Sequence, residues 1–183
     1  MRAFLGLAPH AETKLAIEDW RNKAFPGLHA PVPKANFHIT LAFLGNVSIE
    51  QLVAIKQLID KMPRISAFDV SLTHLGYWSK PKAFWLGCRQ TANEHLTLAK
   101  QVHQIAKKSG LQLQQQEYVA HLTLARKCKI KPPAPLVPAN FHWHVDQFHL
   151  FESKSSSQGV YYPILESWHL DADIEKKPSH QVN

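Results

Sequence analysis

Three stretches of this chain carry a histidine followed two positions later by a threonine: His38-Ile39-Thr40, His95-Leu96-Thr97 and His121-Leu122-Thr123. An imidazole and a hydroxyl at that spacing have a use at phosphorus. The imidazole, with an ordinary pKa near 6.5, takes or gives a proton at neutral pH. The hydroxyl donates a hydrogen bond to a non-bridging oxygen. Two such pieces on opposite sides of a groove supply a base for the attacking oxygen and an acid for the leaving one, as in-line displacement requires. A cyclic phosphodiester needs little more, because ring strain helps to expel the leaving oxygen.

The pattern alone selects nothing. With 12 histidines and 6 threonines in 183 residues, chance supplies roughly 0.4 occurrences by composition counting, so the three have to be sorted physically. In a strand, residues i and i+2 point to one face, roughly 6–7 Å apart, and both reach one phosphate. In a helix they lie about 200° apart around the axis. The piece at His95 sits in NEHLTLAKQVHQIAKKSG, where Leu98, Val102 and Ile105 recur at helical spacing and Lys107, Lys108 and Gly110 mark a C-terminus. His95 is therefore expected as a solvated first-turn side chain, unrelated to Thr97. The pieces at His38 and His121 lie in short apolar runs, FHITLAFL and VAHLTLA. Strict alternation places His38, Thr40 and Ala42 on one face and His121, Thr123 and Ala125 on the other run's equivalent face. Ile39, Leu41 and Phe43, or Leu122 and Leu124, then pack against helices. Arg126, with Lys127, Lys129 and Lys131 after it, offers a cation for the phosphate. Alternation puts Arg126 opposite His121 and Thr123, so it reaches the substrate only if the strand ends or bulges there.

The elements that hold these pieces recur. Strand, helix, strand is expected at about 2–7, 12–25 and 37–44, and again at about 83–88, 93–109 and 119–125, with His38 falling on His121. Further strands are expected over 67–75, 145–152 and 160–168. A helix follows Ser48-Ile49-Glu50-Gln51, a capping box, with Leu52, Ile55, Ile59 and Met62 on one face. Asn93 is the expected cap of the next helix. The fold class is α+β: two pseudo-symmetric lobes, each an antiparallel or mixed sheet with helices outside, facing a central groove. Residues 1–170 form one bilobal domain, and 171–183 a polar tail.

Bulk properties agree with a polyanionic partner. The net charge is +7 and the pI about 9.5, which suits RNA or a phosphate-bearing substrate. No run reaches the roughly 18 apolar residues of a membrane span, no secretory leader is evident, and two cysteines suggest no disulfide framework. These features lead us to expect a cytoplasmic monomer. Two rivals have a basis in the residues. His142, His144 and Asp146 share one face of a strand and would suit a metal hydrolase. Basic charge with Trp78, Trp85 and Trp143 would suit a non-catalytic RNA-binding module, although scattered tryptophans are more often core.

Taken together, VPKANFHITLAFLGNVS and YVAHLTLAR resemble the paired motifs of the two-histidine (2H) phosphoesterases, and within them the bacterial RNA 2′,3′-cyclic phosphodiesterases, also called 2′-5′ RNA ligases. FWLGC, FHLFES and GVYYPILESWHL match later strands of that family, so the resemblance covers about residues 1–170. It implies metal- and cofactor-free hydrolysis of RNA 2′,3′-cyclic phosphate ends to 2′-phosphomonoesters, with ligation as the reverse chemistry. His38 would be the proton donor and His121 the proton acceptor, with Thr40, Thr123 and Arg126 on the phosphate. RAFLGL keeps one aromatic, Phe4, where relatives often have two, and Phe4 would stack on the terminal base. A nucleotide or ADP-ribose cyclic phosphate is the alternative substrate.

Overall fold

The backbone is organised around the strand pair that carries the two apolar histidine pieces. A computed structural model describes residues 1–113, 117–157 and 159–172. The expected polar tail lies outside the described residues from position 173 on. In chain order the elements are β1 (Arg2–Leu7), α1 (Ala11–Ala24), β2 (Ile39–Asn46), α2 (Ile49–Asp60), β3 (Phe68–Leu72), β4 (His74–Trp78), β5 (Ala83–Gly87), α3 (Asn93–Lys108), β6 (His121–Ala125), β7 (Phe141–Val145), β8 (Gln147–Glu152), β9 (Lys154–Ser156), β10 (Gly159–Tyr161) and β11 (Ile164–His169).

Seven strands form one sheet in the order β11-β8-β1-β2-β6-β5-β4, and its registered pairs are antiparallel. The two halves of the chain thus meet edge to edge at β2 and β6. The expected duplication is visible in β1-α1-β2 and β5-α3-β6, each contributing two neighbouring strands. Small two-stranded sheets, β3 with β7 and β9 with β10, complete the fold. Three expected strands are each two elements. Thr73 turns the chain between β3 and β4, its amide bonding Gly87 O at 3.1 Å, so β3 pairs with β7 while β4 pairs with β5. Positions 145–152 divide between the end of β7 and β8, and 160–168 between β10 and β11.

The core lies on the helix side of the sheet. Ile17 of α1, Ile55 and Ile59 of α2, and Leu98, Val102 and Ile105 of α3 pack with Leu5, Ile39, Leu41, Leu86, Leu122 and Leu124. Leucine and isoleucine at helical spacing on the helices, and at alternate strand positions, give both surfaces one apolar face. The capping box at α2 is formed, with Ser48 Oγ accepting from Gln51 N and Gln51 Oε1 accepting from Ser48 N. Asn93 is not a cap: Ala92 holds that position, without a side-chain hydrogen bond, and Asn93 is already helical. No helix among the described residues is long and apolar enough to cross a membrane.

Candidate active site

The registered pair between β2 and β6 is Ile39 with Leu122, both buried in the core. One step along the antiparallel register in either direction sets His38 across from Thr123 and Thr40 across from His121. All four then project from the face opposite Ile39 and Leu122. The four half-buried side chains form a rectangle with like residues on its diagonals. Diagonal positions in such a pair are about 7–8 Å apart, which leaves room for a phosphate between the imidazoles. The offset of 83 between the motifs reflects a local pseudo-twofold axis through the Ile39–Leu122 pair.

Each imidazole is oriented in the same way. His38 Nδ1 bonds Asn36 O at 2.7 Å, and His121 Nδ1 bonds Val119 O at 2.8 Å. A carbonyl only accepts, so in each ring Nδ1 carries the proton and Nε2 is left for acid–base work. Each ring also has an aromatic wall. Phe4, Tyr162 and Phe151 stand 4.6, 5.0 and 6.0 Å from His38. Trp78 and Trp85 stand 4.5 and 5.9 Å from His121. Burial against these walls lowers both imidazoles' proton affinity. His38 falls to about 4, chiefly by desolvation, with the Asn36 carbonyl opposing and Arg126, His121 and Lys14 adding positive field. His121 is lowered by desolvation and by Arg126, with the Val119 carbonyl opposing.

Arg126 reaches this face through a bulge. Phe84 pairs with Ala125 but Trp85 with Thr123, so Leu124 is extra in β6. The Leu124 carbonyl is taken by Val32 N at 2.9 Å and by the buried Arg21 of α1 at 3.3 Å. Past the bulge the phase reverses: Ala125 turns into the core and Arg126 to the histidine side. The same happens in β2, where the register with β1 skips Leu41 and Leu44. Ala42 pairs with Leu5 in the core, while Phe43 pairs with Phe4 and is 50% exposed beneath Arg2. The expected placement of Ala42 and Ala125 beside the histidines is therefore corrected.

Glycines supply the room instead. Gly6 pairs with Thr40 and Gly87 with His121. A Cβ on Gly6 would stand 2.7 Å from Ile39 O, and one on Gly87 2.6 Å from the Trp85 ring. The signal was present in the letters: Phe4-Leu5-Gly6 and Trp85-Leu86-Gly87 are aromatic-Leu-Gly in both halves. Sequence reasoning also missed Trp78, Trp85, Phe151 and Tyr162 as walls. Phe4 is 2% exposed, stacked on Phe151 at 4.8 Å and edge-on to Tyr162. It buttresses His38 and offers no open face for a base.

His95 lies in the first turn of α3, but it is buried, not solvated; Thr97 is exposed on another side of the helix. His142 bonds Ser71 Oγ and Asn140 Oδ1, and His144 bonds Asp69 Oδ1. Among the described residues no three His, Cys, Asp or Glu side chains converge as a metal-binding group. A cavity of about 520 Å³ between β3 and the start of α3 is lined by Asp69, Ser71, Arg89 and Asn93. None of the rectangle's four residues lines it.

The sequence model of the LigT-like phosphoesterases matches residues 7–85 and again 86–162. The chain belongs to this family. The two matches follow the internal duplication. An Escherichia coli protein named RNA 2′,3′-cyclic phosphodiesterase is 32% identical over 92% of this chain and 96% of its own. A Thermus thermophilus protein of the same name is 28% identical over 93% and 90%. Among solved structures, E. coli LigT complexed with 3′-AMP superposes with a TM-score of 0.85 at 31% identity, covering 92% of this chain and 97% of that one.

Proposed function

We propose that this protein hydrolyses RNA 2′,3′-cyclic phosphate ends to 2′-phosphomonoesters, without a metal, by acid–base catalysis from His38 and His121. The observation that carries this reading is the crossed His38–Thr123 and Thr40–His121 arrangement about the Ile39–Leu122 pair. The names of the family relatives supply the substrate class. In the step proposed, water attacks phosphorus in line with the 3′ oxygen. His121 Nε2 takes the water's proton, the P–O3′ bond breaks, and protonated His38 Nε2 delivers its proton to O3′. The Thr40 and Thr123 hydroxyls donate to the non-bridging oxygens, and Arg126 neutralises their charge. An RNA 5′-hydroxyl in place of water gives 2′-5′ ligation by the same proton transfers.

Two neutral imidazoles cannot complete that cycle, so one must gain a proton when substrate binds. The anionic phosphate supplies the field that favours it, offsetting burial and Arg126 at His38. The test is an oligonucleotide ending in 2′,3′-cyclic phosphate, with 2′- and 3′-phosphate products resolved. The expected product is the 2′-phosphate. His38→Ala and His121→Ala should each lower turnover by about 10²–10⁴-fold while still binding RNA ends. Wild-type turnover in either variant, or activity lost to a chelator and restored by metal, would overturn the reading.

A further inference from the structure

The third histidine–threonine piece is not idle. His95 is 1% exposed, with its ring stacked on Phe68 at 5.1 Å and 19°. Its Nε2 lies 2.7 Å from the Tyr118 hydroxyl. Tyr118 stands three residues before His121, in a stretch that is neither helix nor strand. Its neighbour Val119 provides the carbonyl that holds His121 Nδ1 at 2.8 Å. We propose that the His95–Tyr118 pair positions His121, by fixing the segment whose Val119 carbonyl sets the tautomer and direction of that ring. This rests on the two-histidine reading above.

The argument is geometric. Strand pairing fixes β6 only from His121 onward, so Val119's carbonyl direction must be set by how its own segment is anchored. The Tyr118 ring supplies that anchor, because a buried hydroxyl left without a partner is costly and one bonded to His95 is held in one direction. His95 is in turn fixed by α3, whose Leu98, Ala99 and Val102 are buried in the core. The first half of the molecule solves the same problem with a different group. Buried Asn36, two residues before His38, donates from Nδ2 to Val160 O at 2.7 Å while its own carbonyl holds His38 Nδ1. Each imidazole of the proposed pair thus hangs from a main-chain carbonyl just ahead of its strand, and the segment that carries the carbonyl, a 3-10 turn at Asn36 and an irregular stretch at Val119, is held by a side-chain hydrogen bond. The charged group acting on His121 is Arg126, and His121 in turn acts across the strand pair on His38. The pair's own titratable neighbour is Cys88, beside Tyr118.

The experiment compares Tyr118→Phe, His95→Leu and His95→Gln with wild type. Readouts are thermal unfolding, kcat and KM on the cyclic-phosphate oligonucleotide across pH, and the nitrogen NMR signals of the His121 ring. Tyr118→Phe removes one oxygen and should remain folded. It and His95→Leu should lower kcat on the order of 10-fold with KM nearly unchanged. The limb of kcat/KM that follows His121 should move to lower pH, because the Val119 bond that raises His121's proton affinity is weakened. The His121 signals should change from one Nδ1–H form to a mixture. His95→Gln, whose amide reaches the place of Nε2, should recover most of the activity. A folded Tyr118→Phe with wild-type kcat and wild-type His121 signals would overturn the proposal. So would an activity loss that leaves the pH limb and the signals unmoved. If wild type did not hydrolyse cyclic ends at all, the function would fall, while the His121 signals would still decide the positioning.

Discussion

His38 and His121 stand in settings that lower the proton affinity of both imidazoles, and this shapes the pH dependence. His38 is lowered to about 4 by burial first and by Arg126, His121 and Lys14 after it. A lowered pKa means that, in free enzyme, the acid is lost at a lower pH than for an ordinary imidazole. We therefore expect kcat/KM to fall as pH rises from about 5 to 8, its free-enzyme limbs lying below the usual histidine value near 6.5. In the complex the phosphate raises His38's proton affinity, so the alkaline limb of kcat should lie at higher pH than that of kcat/KM. Arg126→Gln separates the causes. It removes a charge that lowers both imidazoles, so both limbs should shift to higher pH while KM rises from the lost phosphate contact. Limbs that stay in place while KM rises would mean that Arg126 binds phosphate without tuning the histidines. Residue by residue, HLTLAK and HLTLAR are nearly one string. What separates them is that the first winds into α3, turning Thr97 away from His95, and the second extends along β6.

At the scale of elements, strands β1, β2, β5 and β6, the three helices and the repeat were legible, because apolar periodicity is a local signal. That His38, Thr40, His121 and Thr123 share one face was legible for the same reason: period two needs only a few residues to hold. What alternation could not yield were the bulges at Leu41, Leu44 and Leu124, since a bulge is a relation between strands. These slips send Ala42 and Ala125 to the core and bring Phe43 and Arg126 to the other face. The aromatic walls come from strands distant in sequence, and β4 in particular was hidden because its boundary with β3 is set by separate pairing partners. Gly76 of β4 tests how these walls act. It pairs with Trp85, and a Cβ there would stand 2.0 Å from that ring. Gly76→Ala must therefore displace Trp85, which leans on Trp78 at 4.9 Å and on His121. We expect a stability loss of about 1–3 kcal/mol, the usual cost of overpacking, with a fall in kcat that Ser48→Ala, at the distant cap of α2, does not share. Chemical denaturation and steady-state rates on the two variants check this, and equal kcat values would show that Trp85 does not support His121.

For the whole molecule, burying neutral histidines has a cost that acid exposes. His38 and His95 both fall to about 4, chiefly by desolvation, and His103, His121 and His149 are lowered as well. An unfolded chain protonates them near 6.5. Between those values the unfolded state binds more protons than the folded one, so stability must decline as pH falls from 6.5 toward 4. For His95, which is fully enclosed, the decline amounts to on the order of 3 kcal/mol once pH reaches its folded value. That is a large part of the stability of an ordinary domain. Because His95 and Asn36, proposed above to position the two site histidines, are themselves buried, the site and the core should be lost together in one transition. Urea unfolding at pH 7.5, 6.0, 5.0 and 4.0 measures this, with His95→Gln expected to flatten the pH dependence by one histidine's share. The net charge of +7 adds self-repulsion in acid, but that part is screened by salt. The decline from buried imidazoles should persist at about 0.5 M salt, and a stability level from pH 7.5 to 5 under those conditions would mean that these rings take up protons while folded.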